Sequence, residues 1–387
     1  MGEFWRLLRL ESRALFGDSA ILLTLFGGIL FYALLYPLPY ARQVPRELPL
    51  LLVDEDGSVL SRHLAFMADA TPQLRILSQV STLAEAQAKL QQGEGKGILL
   101  IPRHFYRDVR LGRTVTLAFA GDGAYYLIFG AVAEGLSSAA GTLGAQIRIT
   151  QLLASGATIP GAEARWRSFT LNSQPLFNPT LGYQQYVVPA VFLVILHQTL
   201  LIAAALLGAT QNESSLQGHA GYWQRAPLLP WLLARLGLLM LLYLGFSCLY
   251  FGPMLAWYGL NQLAAPAVLL LFLLPFFLAA AGLGIVLGAL LTRRELATPI
   301  VLLSSLPLVF SAGFIWPVEA LPGGLVVLVQ LLPTSPGIQG LLRLEAMGAD
   351  WPDLLPCWGQ LWALALGYGL LAYACLRYRQ RASITTR

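Results

Sequence analysis

The hydrophobic pattern is dominated by one stretch, residues 236–292, that contains no Asp, Glu, Lys or Arg. A helix that crosses a membrane needs about 20 predominantly apolar residues. The stretch is therefore long enough for two crossings, and Gly259, Asn261 and Pro266 supply a turn near its middle. The pattern predicts a hairpin of two membrane-spanning helices and places the chain among polytopic membrane proteins.

Four further apolar runs have the length of a crossing helix. They occupy residues 19–40, 186–207, 296–318 and 354–376. Together with the hairpin they predict six transmembrane helices, with helices two to six inside residues 184–376. A shorter run at 325–332 is too short to cross, so it predicts a re-entrant or interfacial segment near 322–350.

A polar segment, residues 41–183, separates the first two predicted spans and is long enough for one small domain. Its apolar runs predict strands at 48–53, 74–80, 97–101 and 115–120, and its periodic segments predict helices at 60–67, 83–92 and 125–153. Thr82 and Glu85 have the spacing of a capping box at the second of these helices. Strands that alternate with helices predict an α/β domain with a largely parallel sheet.

Charge supports the membrane assignment and orients the spans. Only 12% of the residues are charged, whereas soluble domains carry about 25%. The flanking arginines are Arg6, Arg9, Arg13, Arg225, Arg293, Arg294, Arg377, Arg379 and Arg381. Because positive charge concentrates on the cytoplasmic side, both termini are expected in the cytoplasm, including the tail at 377–387, and segment 41–183 is expected outside.

The first 18 residues predict a separate element. Arg6, Arg9 and Arg13 share one face of a helix, and Phe4 and Leu8 lie roughly opposite. This pattern is typical of a basic amphipathic helix that lies in the cytoplasmic membrane interface. The alternative is that the arginines are ordinary orienting charges beside an uncleaved membrane anchor.

The polar segment has few candidates for chemistry. Asp54 and Asp56 could hold a metal ion, but a turn that caps the next helix explains them better, and His63 and His104 are isolated. The cysteine spacing predicts neither disulfides nor a metal site. No basic patch is interleaved with aromatic residues, which argues against nucleic-acid binding. We therefore expect a docking module with no catalytic or metal-binding residues.

Few polar side chains lie within the predicted spans. His197 is the intramembrane candidate, and it either lines a transport pathway or forms a hydrogen bond between helices. Arg235, near the start of the third span, is expected to extend to the cytoplasmic interface. An intramembrane enzyme is disfavoured, because the spans contain no paired carboxylates, histidine cluster or Ser/His pair.

The predicted cytoplasmic segments are too short to hold an ATPase or a signalling domain. The longest is the loop at 208–229, in which Asn212 is the expected cap of a helix over 213–223. A soluble motor protein could bind such a helix, in which case another chain supplies the energy for the work of this protein. The alternative is a plain connecting loop.

The C-terminal third carries a specific order of motifs. They are Pro307, SAGFIWP at 311–317, Glu319, Leu321-Pro322, LLPTSP at 331–336, and Gly340 with Arg343. This order resembles the closing signature of ABC-2-type transporter permeases, of the drug- or lipid-export-like branch. Residues 54–58 with Arg62 resemble the opening of that branch's external domain, and PLFNP at 175–179 resembles the approach to its second span.

The resemblance implies a permease subunit in a bacterial inner membrane, with segment 41–183 in the periplasm. It further implies a dimer with a second permease copy or homologue, bound to ATP-binding cassette subunits that carry ATP and Mg²⁺. This chain would bind no cofactor itself. Such complexes export amphiphilic molecules or lipids, often together with a periplasmic adaptor protein.

The resemblance also implies roles for two sets of residues. The residues expected to contact the ATPase are Arg6, Arg9, Arg13, Asn212, Glu213 and Trp223. The loop departs from the family pattern because Glu213 is its single acidic residue. Besides His197, the residues expected at the pathway or its gate are Phe310, Gly313, Phe314 and Trp316, although packing against lipid or neighbouring helices would also explain these aromatic residues.

A different class of function stays open at this point. The chain could be a membrane scaffold or sensor that docks partners through the external domain and uses an ATPase only as a switch. Replacing Phe314 by Ala should change transport without loss of the folded dimer if Phe314 belongs to the pathway.

Overall fold

The computed structural model describes residues 2–40, 45–160, 176–178 and 182–385, with side chains through residue 381. The contacts between residues divide the chain into two compact units. The helical unit consists of Met1–Ala41 and Gly182–Arg387, and the sheet unit consists of Arg42–Leu181. Pro175 and Pro179 of the PLFNP motif lie outside the described residues.

The sheet unit contains a four-stranded sheet with the order β2-β1-β3-β4. Its strands are β1 (Leu48–Asp54), β2 (Leu74–Val80), β3 (Gly97–Ile101) and β4 (Ala118–Gly121). Strand β1 pairs in parallel with β2 and β3, whereas β4 pairs antiparallel with β3. A parallel return to the sheet needs a crossover that spans the strand length, and the only described helix between β3 and β4 has six residues.

Helices cover both faces of this sheet. They are α3 (Val59–Asp69), α4 (Leu83–Gln91), α5 (Phe105–Arg110) and α6 (Tyr126–Ala154). Alternate residues of β1 point to opposite faces: Leu50 packs with Leu64 of α3 and Val132 of α6, and Leu51 packs with Ala86 of α4. Strands that are buried on both faces read as continuous apolar runs, which is why β1 and β3 are visible in the sequence.

The helical unit contains ten helices among the described residues, in addition to a short 3-10 helix at Val318–Ala320. They are α1 (Gly2–Phe16), α2 (Ser19–Tyr40), α7 (Gln184–Leu216), α8 (Tyr222–Arg225), α9 (Leu228–Trp257), α10 (Pro266–Leu290), α11 (Arg294–Ser311), α12 (Gly323–Gln330), α13 (Thr334–Glu345) and α14 (Trp351–Thr385). Helix α7 is the centre of the unit, since 94% of the residues in its most apolar segment are buried. Each of the helices α9, α10, α11 and α13 contacts it.

Seven described helices are long and apolar enough to cross a membrane, by length and composition alone. They are α2, α6, α7, α9, α10, α11 and α14. Six of them coincide with predicted spans. The seventh, α6, lies in the segment expected to be external, where Val132, Leu136 and Leu143 form part of the core of the sheet unit.

Small residues allow α7 and α10 to approach closely. A Cβ atom added at Gly288 would lie 2.8 Å from the Ala205 carbonyl oxygen, and one added at Gly208 would lie 3.0 Å from the Gly288 Cα. At these two positions the space holds the hydrogen atom of a glycine but not a methyl group. The crossing follows the small-residue packing that is common between membrane helices, where close backbone approach replaces bulky side-chain packing.

Helices α12 and α13 form a bent pair at the position of the predicted re-entrant or interfacial segment. The two helices meet at 82°, across a break of no more than four residues that contains Pro333. The geometry is that of a broken span or a re-entrant loop. Helix α13 packs against α10, because Gly337 and Gly340 leave space for Phe276 and Phe272.

Candidate functional site

Helix α1 presents two different faces. Leu7, Glu11 and Leu15, spaced four residues apart, are buried. Arg6, Arg9 and Arg13 are exposed on the remaining surface. The structure thus separates the predicted arginine face from a buried face that contains an acidic residue.

Glu11 forms a buried ion pair with Arg235 of α9. The Arg235 Nε atom lies 2.8 Å from Glu11 Oε2, and Nη2 lies 3.0 Å from Oε1. The two side chains are 1% and 0% exposed. Two parallel hydrogen bonds between a guanidinium and a carboxylate fix both distance and orientation, so this pair holds α1 in a defined position on α9.

The expectation that Arg235 extends to the interface is wrong. The Arg235 side chain is buried, and its guanidinium lies 4.9 Å from the centre of the Trp231 ring. The reason is that α1 brings a carboxylate to the arginine. A charge removed from water is tolerated where an opposite charge and hydrogen bonds compensate it.

Three further side chains complete the network around Glu11. Gln211 of α7 accepts a hydrogen bond from Arg235 Nη2 at 2.6 Å and donates one to the Tyr222 hydroxyl at 3.1 Å. Tyr222 donates to Glu11 Oε1 at 2.7 Å, and the Trp231 indole N–H donates to the same oxygen. Burial and the Glu11 charge raise the pKa of Tyr222. Helices α1, α7, α8 and α9 are therefore joined by one polar cluster, the Glu11 cluster.

A second cluster joins the start of α2 to the start of α11. Arg294 Nη2 lies 3.0 Å from Asp18 Oδ2, and Asp18 also accepts a hydrogen bond from the Ala20 N–H at the start of α2. Glu213 Oε2 accepts a hydrogen bond from the Arg294 backbone N–H at 3.1 Å. The predicted contact residue Glu213 is thus engaged within the chain, where it connects the end of α7 to α11.

Asn212 does not begin a helix, so this prediction was wrong. Helix α7 continues through Leu216, since the first left-handed residue after it is Gly218. The Asn212 side-chain amide instead donates to the carbonyl oxygens of Gly288, at 2.7 Å, and Leu291, at 2.9 Å. It thereby satisfies carbonyl groups that the end of α10 leaves without helical partners.

The predicted helix over 213–223 is also wrong, because the chain turns at Gly218 and begins a separate short helix, α8. The Trp223 indole N–H donates to Ser215 Oγ at 2.9 Å, which folds α8 back against α7. Gln380 of α14 donates to the Trp223 carbonyl oxygen at 2.8 Å. Trp223 is therefore held by contacts with two helices.

The expected pathway residues occupy different environments. Gly313, with φ of 94°, forms the turn after α11, and Phe314 beside it is buried. Phe310 and Trp316 are both 55% exposed in the single chain. His197 is fully buried against Phe276, and neither ring nitrogen hydrogen-bonds to any described residue.

The carboxylates at the end of β1 stabilise turns. Asp54 accepts hydrogen bonds from the Gly57 N–H and the Ser61 hydroxyl, and Asp56 accepts one from the Tyr106 N–H. Ser58 caps α3. Across the described residues, no group of three or more His, Cys, Asp or Glu side chains could hold a metal ion.

The Glu11 cluster was missed by sequence reasoning, although a signal existed. Leu7, Glu11 and Leu15 have the spacing of a buried face, and Arg235 is a single charge at the edge of a long apolar run. A lone ionisable group in such a run implies a partner in the bundle. The partner lies on a helix that precedes it by more than 200 residues, so the sequence alone did not identify it.

The fold defines the class of the protein: the helical unit, with its apolar helices of spanning length, is that of a multi-pass membrane protein. Residues 19–374 match the model of the family described as ABC-2 family transporter protein. The chain therefore belongs to the ABC-2 transporter family. It is similar to the linearmycin resistance permease protein LnrN of Bacillus subtilis (strain 168), with 23% identity over 335 residues that cover 82% of this chain and 84% of that protein.

Proposed function

We propose that this chain is the membrane-spanning permease subunit of an ATP-driven exporter that moves amphiphilic small molecules or lipids outward across the bacterial inner membrane. Membership in the ABC-2 family supports a permease that works with an ATP-binding cassette partner. The resistance function in the name of its relative supports the outward direction. ATP and Mg²⁺ would bind to the partner, and the cargo would pass between this chain and a second permease copy or homologue.

The observation that carries this proposal is the connection of α1 to the ends of the spanning helices. The Glu11–Arg235 pair joins α1 to α9, and Gln211 adds α7 to the same cluster. A force on the exposed arginine face of α1 would therefore act on two spans at once. Because packed interfaces have discrete arrangements rather than continuous ones, such a rigid connection is suited to transmit a domain movement.

The termini and the arginine-rich end of the bundle would lie in the cytoplasm, where the ATPase binds. Arg6, Arg9 and Arg13 would form the contact on α1. Glu213 and Arg294 would carry the movement from α7 to α11 through their hydrogen bond. The sheet unit would lie in the periplasm and serve as the docking site for an adaptor protein.

The cargo pathway would use the end of α11 and the turn that follows it. Phe314 and Gly313 would form the gate, and Phe310 and Trp316 would face either the second permease or lipid. His197, which has both ring nitrogens unpartnered among the described residues, would gain a hydrogen-bond partner in another state of the transport cycle. The apolar character of these residues favours amphiphilic cargo over ions.

Co-purification with the ATPase tests the proposal. The chain is co-expressed with the ATPase that a neighbouring gene encodes. The complex is purified in lipid nanodiscs and assayed for ATP hydrolysis with candidate amphiphiles. A variant with Arg6, Arg9 and Arg13 all changed to Gln should retain less ATPase. The matched control changes Arg103, Arg107 and Arg113 of the sheet unit, which removes the same charge from exposed positions.

The expected result is a stable complex with stimulated hydrolysis, weakened by the first triple variant and unaffected by the control. If the wild-type chain retains no ATPase, the export proposal is rejected and a sensor or scaffold built on the sheet unit is favoured. Equal losses in both triple variants would reject α1 as the contact.

A further inference from the structure

A cavity of about 250 Å³ lies beside the Glu11 cluster, at the arginine-rich end of the helical unit. Its walls come from the end of α7, the start of α9, the end of α10 and the end of α14, with α8 beside them. Trp223 and Trp231 contribute aromatic surface, and Leu216 and Leu376 contribute aliphatic surface. The lining is therefore mixed, with both apolar walls and polar groups.

The charged residues in the lining are all cationic. Arg235 and Arg379 line the cavity, and no Asp or Glu is among its lining residues. Glu11 pairs with Arg235 through the Nε and Nη2 atoms. The Arg235 Nη1 atom is buried and has no hydrogen-bond partner among the described residues.

A buried guanidinium nitrogen without a partner points to a missing acceptor, because a buried donor that is left unpaired loses its hydrogen bonds to water without replacement. The remaining polar groups in the lining do not supply that acceptor. Ser215 Oγ already accepts from Trp223 and Gln224, and Asn212 directs its amide to the end of α10.

Arg379 adds a second cation without a described carboxylate partner. The Arg379 Nη2 atom donates a hydrogen bond to the Leu290 carbonyl oxygen, at 3.2 Å. A neutral carbonyl group leaves the guanidinium charge uncompensated. Arginine guanidinium groups bind phosphate oxygens through charge-assisted hydrogen bonds, and two of them line this one cavity.

We propose that this cavity binds an anionic phosphate group, held between Arg235 Nη1 and Arg379. The phosphate could belong to the headgroup of an anionic lipid or to a free phosphate ion. The apolar walls formed by Leu216 and Leu376 would accommodate the glycerol and first acyl carbons of a lipid. The site would stabilise the junction of α7, α9, α10 and α14, and it does not depend on the direction or cargo of transport.

The test measures binding to the full-length chain purified in a neutral detergent. Phosphatidylglycerol, phosphatidylcholine and inorganic phosphate are added separately, and native mass spectrometry and thermal unfolding report binding. Arg379→Gln should weaken binding by about tenfold or more, because it removes a charge-assisted hydrogen bond. Arg379→Lys retains the charge and should retain part of the affinity.

Arg377→Gln is the matched control, since Arg377 is exposed on the same helix and does not line the cavity. It should leave binding unchanged. Tight binding of phosphatidylglycerol, lost in Arg379→Gln and kept in Arg377→Gln, supports the site with a lipid as its source. Binding of inorganic phosphate with the same dependence on Arg379 supports the site with a free ion as its source.

Equal weakening by the two glutamine variants would overturn the proposal, because general surface charge would then explain the binding. Absence of binding by both phosphatidylglycerol and inorganic phosphate would also overturn it. Thermal unfolding without added lipid shows whether each variant is folded. If Arg379→Gln is not folded, Arg379→Lys still tests the site.

Discussion

Glu11 and Arg235 stand 224 positions apart in the sequence and form a buried ion pair through two hydrogen bonds. The pair joins the amphipathic N-terminal helix to a helix of spanning length. A buried pair of this kind contributes little net stability compared with well-packed apolar side chains, but the loss of one partner leaves an uncompensated charge. Its value to the protein is therefore the defined position that it gives to α1.

Removal of one partner should destabilise the fold strongly. Glu11→Gln leaves the Arg235 charge buried without a counter-charge and should cost about 3–5 kcal/mol in the free energy of unfolding. The measurement is denaturation of the purified chain in mixed micelles, compared with Glu11→Leu combined with Arg235→Met. The double variant should recover most of the loss because it removes both charges.

The matched control is the exposed pair of Glu3 and Arg6 on the same helix, at 3.7 Å with side chains that are more than half exposed. Glu3→Gln should leave unfolding unchanged, because solvent screens an exposed pair. If Glu11→Gln behaves like Glu3→Gln, the buried pair described here does not exist in the folded protein.

Asn212 should stabilise the end of α10 through its side-chain amide. Asn212→Asp preserves the shape but removes the donors that reach Gly288 and Leu291. The expected cost is about 1–3 kcal/mol, since buried carbonyl groups lose their partners. Denaturation curves of this variant and of Asn261→Asp, at an exposed position, provide the comparison. Similar curves would show that the Asn212 hydrogen bonds are absent.

The contact between α7 and α10 should be intolerant of a single methyl group. Gly288→Ala places a Cβ atom 2.8 Å from the Ala205 carbonyl oxygen, and overpacking of this kind costs about 1–3 kcal/mol. The thermal midpoint should fall. In Gly245→Ala the added atom has no neighbour within 4 Å, so the midpoint should hold or rise. A fall in both variants would remove close packing as the cause.

Glu213 should matter for coupling more than for folding. Glu213→Gln weakens the hydrogen bond to the Arg294 N–H, because a neutral acceptor binds less strongly than a carboxylate. We expect cargo-stimulated ATP hydrolysis by the co-purified complex to fall, while the amount of bound ATPase stays unchanged. Loss of the bound ATPase itself would instead assign Glu213 to the contact surface.

The apolar spans were predictable because a helix that crosses a membrane needs about 20 predominantly apolar residues. Helix α6 meets the same criterion within the sheet unit, so length and composition did not separate it from the spans. The strands of the sheet unit were also predictable, since β1 and β3 are continuous apolar runs covered on both faces. The predicted start of β4, at residue 115, was three residues too early, since the strand begins at Ala118. An edge strand with exposed residues has a weaker sequence pattern.

The polar clusters were harder to predict because their members come from distant helices. Asn212 has the residue type of a helix cap, yet the residues around it, from 209 to 216, include no Gly or Pro, so α7 continues through it to Leu216. The buried role of Glu11 was not recognised, because the arginines of α1 dominate the charge pattern of that helix. Hydrogen-bond partners across a bundle depend on which helices are in contact. The hydrophobic pattern of a single sequence does not reveal those contacts.

The most direct test of the proposed function is transport into inside-out membrane vesicles that contain this chain and its ATPase. A fluorescent amphiphile or labelled lipid is added with ATP or with a non-hydrolysable analogue. The proposal predicts accumulation inside the vesicles that requires ATP hydrolysis and this chain, because outward movement in the cell becomes inward movement in such vesicles. Accumulation that is equal with the analogue, or movement in the opposite direction, would contradict the assignment of this chain as an export permease.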